Sequence, residues 1–319
     1  MPWTDYTDNL EWHFSPNLVS GESREPAMAA RNATSAKAIE TLKPERDIRY
    51  GTGPRQFLDF FPAKANAKVI HVYVHGGLWR QGHKDASSYV APASVQLGLP
   101  TVVLGYDLCP QVTLEQVTAQ VLDGIAWVHR NSSRLGLPGA KVFISGHSAG
   151  AHLCAMALAC DWTSRSVPPD FLVGAALSSG IYDIGFVPQV TLNEVIKLTP
   201  ERVKFNSPMF NPPLRPLPVI IFAGGKESPG WINQTEEYTQ VLRSAGCAVS
   251  VLKFPEDNHS TLGMAAHGDT GSLMMRGIAA ALDARRYQIS FNKQESSNHM
   301  RFHGGLGRNL MSSSRNPVF

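Results

Sequence analysis

Long apolar runs are missing from this sequence of 319 residues. Stretches such as Val219–Ala223 fall far short of the ~20 residues that a membrane-spanning helix requires, so none is expected. The opening Met1-Pro2-Trp3-Thr4-Asp5-Tyr6 has neither the basic nor the apolar region of a secretory signal, and none is expected there. Cysteine is scarce. Cys109, Cys154, Cys160 and Cys247 show no C-x-x-C spacing, which points to free thiols in a reducing, cytoplasmic setting rather than a disulfide framework or a zinc site. An excess of one charge is also missing, with 29 Lys and Arg against 26 Asp and Glu. Six basic residues and one acid fall between Arg285 and Phe319, so the body of the chain is slightly acidic. That argues against nucleic acid or a membrane surface as partner. What is present is ample core material, 43% hydrophobic residues. A chain of this length buries about three quarters of its unfolded surface without a disulfide or metal.

The pattern along the chain sets β-branched runs against helical segments. The spacing predicts a helix over Pro26–Leu42, with proline in its first turn. A hairpin of Asp47–Tyr50 and Phe57–Phe61 follows, around Gly51-Thr52-Gly53-Pro54. Strands are then expected at Val69–Val74, Pro100–Leu104, Lys141–Ser145, Phe171–Leu177, Val219–Ala223 and Ala248–Phe254. Helices are expected at Lys84–Leu97, from Thr113, at Ala149–Cys160, Pro229–Ala245 and Gly271–Ala284. Thr113 and Gln116 form a capping box ahead of Leu114, Val117, Val121, Ile125 and Val128 at helical period. Strands separated by helices mean a mostly parallel central sheet with helices on both faces, the α/β class, with the hairpin at one edge. The division expected is 1–45 as a partly helical lead-in, 46–284 as the α/β domain, and 285–319 as a basic tail that need not fold.

Chemistry concentrates at strand ends. Gly146-His147-Ser148-Ala149-Gly150 is a G-x-S-x-G pentapeptide between a predicted strand and a predicted helix, the arrangement that exposes a nucleophilic serine on a tight turn. Serine needs a base, and the base an orienting acid, in the chain order Ser, acid, His. His259 follows the strand ending at Phe254, with His267 as the nearest competitor. Glu227 follows the preceding strand, just before a helix start with Ser228 as N-cap and Pro229 at N1; Asp257 is its rival. After the strand ending at Val74 stands His75-Gly76-Gly77-Leu78-Trp79, a loop suited to stabilising an oxyanion through backbone N–H groups. The donors expected are Gly77, Leu78 and Ala149, with His75 orienting the loop. No phosphate- or dinucleotide-binding glycine pattern follows that strand. The scattered histidines His71, His75, His147 and His152 lack the carboxylates of a metal site, so neither metal nor cofactor is called for.

With these motifs in hand, the chain resembles the kynurenine formamidase (arylformamidase) branch of the α/β-hydrolases, close to the hormone-sensitive-lipase-like esterases. The matching segments are His75-Gly76-Gly77-Leu78-Trp79, Tyr106-Asp107-Leu108-Cys109-Pro110, the turn around Ser148, and Glu227-Ser228-Pro229; the resemblance runs over roughly residues 45–284. It implies an α/β-hydrolase fold and a triad of Ser148, Glu227 and His259 that cleaves a small acyl group from an aryl amide or ester. An N-formylkynurenine-type formamide ranks first. The chain departs from the branch in carrying Glu227 where aspartate is common, and in the tail after Ala284. A general short-chain carboxylesterase or another aryl amidase is the alternative within the class, and a non-catalytic ligand-binding scaffold the alternative outside it. The segment from Gly180 to Leu217 offers room for a lid, with Thr191 and Glu194 capping a short helix, but not for a large cap domain. His75, Gly76, Trp79, Tyr182 and Phe186 are the expected substrate-contacting residues. Oligomeric state is left open, a homodimer being compatible with the sequence.

Overall fold

The computed structural model describes residues 3–6, 8–15, 24–63, 67–268, 272 and 274–278. The expected tail, 285–319, lies outside them, as does most of the expected final helix, of which residues 274–278 are helical. Two helices, α1 (Leu10–Phe14) and α2 (Glu25–Leu42), precede eight strands. The strands are β1 (Glu45–Arg49), β2 (Phe57–Phe61), β3 (Val69–Val74), β4 (Thr101–Leu104), β5 (Lys141–His147), β6 (Leu172–Ser178), β7 (Pro218–Phe222) and β8 (Ala248–Val251). They form one sheet in the order β1-β2-β4-β3-β5-β6-β7-β8. Pairing is antiparallel from β1 to β2 and from β2 to β4, and parallel elsewhere. The hairpin occupies one edge, as its turn chemistry led us to expect.

The alternation of side chains along each strand sends apolar residues to both faces of the sheet. Ile70, Val72 and Val74 of β3 pack into a large core with residues of α4 (Leu114–Arg130), α5 (Ala149–Leu158) and α8 (Pro229–Ser244). Tyr73 faces the other way, into a smaller core with Phe61, Tyr89 and Val103, against which Ile39 and Leu42 of α2 pack. Successive strand side chains point to opposite faces, so a sheet covered by helices on both sides needs apolar residues at nearly every position. β3 and β6 read that way. The capping box forms as the sequence predicts: Gln116 N–H donates to Thr113 Oγ1 at 3.3 Å, and Thr113 N–H to Gln116 Oε1 at 2.8 Å.

Three expectations need correction. The segment 84–97 is a 3₁₀ turn (Asp85–Val90) followed by α3 (Ala91–Gln96), because Pro92 cannot donate an intrahelical bond and is accepted only in a first turn. The last strand ends at Val251, and Phe254 rejoins the sheet through a single parallel bridge to Gly224. Thr191 does not cap the short helix α6 (Asn193–Ile196), which has no side-chain cap bond and is followed by α7 (Pro200–Val203). The Thr191 N–H and hydroxyl instead donate to Glu11 of α1, at 2.9 and 2.7 Å.

The lead-in is integrated with the sheet domain. Phe14 stacks on Phe186 with ring centroids 3.8 Å apart, and Ser228 donates to the His13 carbonyl at 2.5 Å. On the opposite side, Ser35 Oγ of α2 accepts the Tyr89 N–H at 3.1 Å. No described helix is long and apolar enough to cross a membrane.

Candidate active site

β5 ends at His147, and Ser148 then takes φ 58° and ψ −125° as the residue preceding α5. Left-handed backbone in a non-glycine residue costs free energy and persists only where surrounding structure enforces it. Here the turn is pinned by Ser148 N–H donating to Ser178 O at 2.9 Å. Its flanking glycines are required by contact: a Cβ on Gly150 would lie 2.0 Å from Val74 O, and one on Gly146 2.4 Å from the Gly150 backbone. The serine is thereby pressed up at the C-terminal end of the sheet, at the floor of a cavity of about 370 Å³.

His259 lines the same cavity, on the loop that follows Phe254. Its Nδ1 meets Glu227 Oε1 at 2.5 Å. The Glu227 side chain is nearly inaccessible, and its other oxygen accepts two bonds, from Gly224 N–H at 2.6 Å and Ser179 O–H at 2.7 Å. A carboxylate can accept all three, so both oxygens are used and the imidazole is held with Nδ1 as donor to Glu227. Trp231 packs edge-on against His259 with centroids 4.3 Å apart, and anchors itself by donating from Nε1 to Ser179 O at 2.7 Å. Ser228 caps α8 as predicted, accepting the Trp231 N–H at 3.2 Å. The partner of His259 is thus Glu227, not Asp257. The competitor His267 is buried away from the cavity, against Tyr73.

The loop after β3 forms another part of the cavity wall. Gly76, Gly77 and Leu78 line the cavity beside Ser148. Gly76 approaches so closely that a Cβ would lie 2.6 Å from His147 O. Gly77, Leu78 and Trp79 all have positive φ, at 127°, 49° and 56°. Two consecutive left-handed non-glycine residues need a brace, and Trp79 supplies it. Fully buried, it donates from Nε1 to His152 Nδ1 at 3.2 Å, and His152 Nε2 in turn donates to Asn206 O at 2.7 Å. Burial pushes the His152 pKa down to about 4, which keeps the imidazole neutral, and the donor at Nδ1 with the carbonyl at Nε2 fixes its tautomer. Trp79→Phe removes the donor and leaves His152 Nδ1 unpaired, so we expect a loss of about 1–3 kcal/mol in urea unfolding. A change below about 0.5 kcal/mol would show that the brace is not needed.

The structure places several expected substrate contacts in the core. Trp79, Tyr182 and Phe186 are each fully buried and do not line the cavity. Tyr182 stacks on Tyr238 at 4.2 Å, and Phe186 on Phe14. Their aromatic character serves packing between the later strands, α8 and α1. His75 is also buried. It stacks on Tyr106 at 4.2 Å and donates from Nδ1 to Gly76 O at 2.8 Å, while Tyr106 O–H donates to His75 O at 2.6 Å. Burial lowers its pKa to about 3, so it orients the loop as a neutral ring. His147 is held well below the ordinary histidine range, by burial first and by neighbouring His259 next.

Sequence reasoning missed Ser179, Gly224 and Trp231, which position Glu227 and His259, and also Arg24, the N-cap of α2, and Arg31 within it, which line the cavity. None carries a local motif; each comes to the site only through the fold. Among the described residues, no three His, Cys, Asp or Glu side chains are grouped as metal ligands would be, and all four cysteines are free.

This strand order and site geometry are those of a hydrolase, and residues 71–263 match the family described as alpha/beta hydrolase fold; the chain belongs to it. Within that class it is 31% identical to kynurenine formamidase of Danio rerio over 267 residues, 80% of this chain and 89% of that protein. It is likewise 31% identical to the kynurenine formamidase of Salmo salar, over 81% of this chain and 90% of that one. The chain is therefore a member of the kynurenine formamidase family. The crystal structure of a candidate thioesterase from Silicibacter superposes with a TM-score of 0.73 at 21% identity, over 85% of this chain and 98% of that one, a likeness of fold.

Proposed function

We propose that Ser148, His259 and Glu227 form a catalytic triad that hydrolyses an aryl formamide of the N-formylkynurenine type. The observation that carries this reading is the Glu227–His259 pair, 2.5 Å apart, on the cavity into which Ser148 projects. Ser148 Oγ attacks the formyl carbon while His259 Nε2 takes its proton. The imidazolium that forms is stabilised by Glu227. Charge develops on the formyl oxygen, where the backbone N–H groups of Gly77, Leu78 and Ala149 are the donors. His259 then returns the proton to the anilide nitrogen, the C–N bond breaks and the arylamine leaves. Water, deprotonated by His259, attacks the formyl ester on Ser148; formate departs and the serine regains its proton.

The substrate assignment draws on the two fish relatives. A formyl group is the smallest acyl group, and Gly76 stands so close to the serine turn that a Cβ there would lie 3.0 Å from Ser148 Cβ. The four free cysteines suit a reducing, cytoplasmic setting, and the substrate is a small molecule. The test is kcat/KM for N-formylkynurenine beside a short-chain aryl ester. We expect a preference for the formamide of at least tenfold. A preference for the ester of the same size would leave the triad in place and refute the substrate.

A further inference from the structure

The cavity above Ser148 has an electropositive wall that the chemistry described so far does not use. Arg24, the N-cap of α2, and Met28 and Arg31 from its first two turns reach it, at the i, i+4, i+7 spacing that puts residues on one helix face. The wall carries no aspartate or glutamate among the described residues that line the cavity, and neither arginine forms an ion pair among them. Arg31 Nε is buried and has no hydrogen-bond partner among the described residues. A guanidinium has no acceptor capacity and five donors in a fixed fork, so two arginines on a wall without an acid beside them suit an anion. The helix is not loosely placed: Ser35, one turn beyond Arg31, is buried and holds the Tyr89 N–H. The arginines are therefore presented from a fixed element, on the cavity that Ser148 and His259 also line.

We infer that Arg24 and Arg31 bind a carboxylate on the leaving group of the substrate, selecting aryl formamides that carry a negative charge away from the scissile bond. The inference rests on the reading of Ser148 as nucleophile and adds to it the charge of the substrate class. Arginine meets carboxylate with two parallel N–H···O bonds, which fixes orientation as well as charge. A substrate held by its carboxylate at α2 directs its aryl formamide towards Ser148. Because the bond exists before and during reaction alike, the arginines act on binding more than on turnover.

The test compares N-formylkynurenine with its neutral carboxamide analogue on wild type, Arg31→Met, Arg31→Lys and the Arg24→Met/Arg31→Met pair. We expect Arg31→Met to raise KM for the carboxylate substrate about 10- to 100-fold with kcat changed far less. For the carboxamide the change is severalfold smaller, and Arg31→Lys recovers part of the loss. Equal losses on both substrates, or none on the carboxylate one, would overturn the inference and leave the triad standing. Should wild type hydrolyse neither, the formamidase reading fails. Calorimetric binding of kynurenine to Ser148→Ala then decides the arginines on its own. Salt-sensitive binding that Arg31→Met weakens tenfold or more supports them; binding indifferent to salt and to that substitution, or no binding, overturns them.

Discussion

Glu227→Gln lowers kcat by about four orders of magnitude while leaving the fold in place. The reason lies in what surrounds the carboxylate. Gly224 N–H can only donate, and it points at Oε2 from 2.6 Å. In the glutamine variant the amide oxygen must therefore take the Oε2 position, which turns the NH₂ group towards His259. Nδ1 of His259 becomes an acceptor, its proton moves to Nε2, and the nitrogen that should take the serine proton already carries one. Ser179 is no obstacle, since its hydroxyl donates to an amide oxygen as readily as to a carboxylate. The variant is nearly isosteric, so thermal unfolding should match wild type within a few degrees. A loss of less than tenfold in kcat would mean that Glu227 does not set the tautomer.

Acid unfolds this protein at a milder pH than its carboxylates alone would dictate. Burial lowers the pKa of His71 and His75 to about 3, and of His152 and His267 to about 4; His147 lies well below the ordinary value for the same cause. These rings are neutral in the fold and take up protons near pH 6.5 once the chain unfolds. Their contribution is complete above that pH and disappears as pH falls from about 6.5 towards 3–4. Each removes on the order of 1 kcal/mol per pH unit over that range. Acting together, five such groups cancel most of a stability of about 5–15 kcal/mol. His71 shows why protonation is resisted: both ring nitrogens are occupied, by Ser94 Oγ at 2.9 Å and Ser145 Oγ at 2.6 Å. His75, His147 and His267 each have an Nε2 without a partner in the interior, where a second N–H would find no acceptor. Melting followed by circular dichroism should show the midpoint falling by 10 °C or more between pH 7 and pH 5. A midpoint flat over that interval would contradict the account.

The parts of this fold that the sequence made legible are those decided within a few residues. The capping box at Thr113, the cap at Ser228 with Pro229, and the strand–turn–helix around Ser148 are local chemistry, and they stand where the pattern placed them. His259 and Glu227 were reachable because each follows a strand, and parallel strands deliver their C-terminal ends to one side of the sheet. What stayed hidden was settled by distant parts of the chain. Thr191 has the residue type for a cap, but Glu11, 180 positions away, offers it a charged acceptor. Trp79, Tyr182 and Phe186 have the side chains of a pocket wall, yet α1 and α8 cover two of them and His152 holds the third. Arg24 and Arg31 sit at the start of an alanine-rich helix, as its cap and in its second turn, and its pattern says only that it is exposed. Their place at the cavity follows from how α2 packs against Tyr89.

The central claim is that Ser148 is the nucleophile and that the Glu227–His259 pair activates it. Treatment with an organophosphonate, followed by mass spectrometry of the peptides, tests this most directly. The account expects one adduct, on Ser148, formed rapidly in wild type, at least a hundredfold more slowly in Glu227→Gln, and absent from Ser148→Ala. An adduct on another residue, or labelling of Ser148 at the same rate in Glu227→Gln, would contradict it.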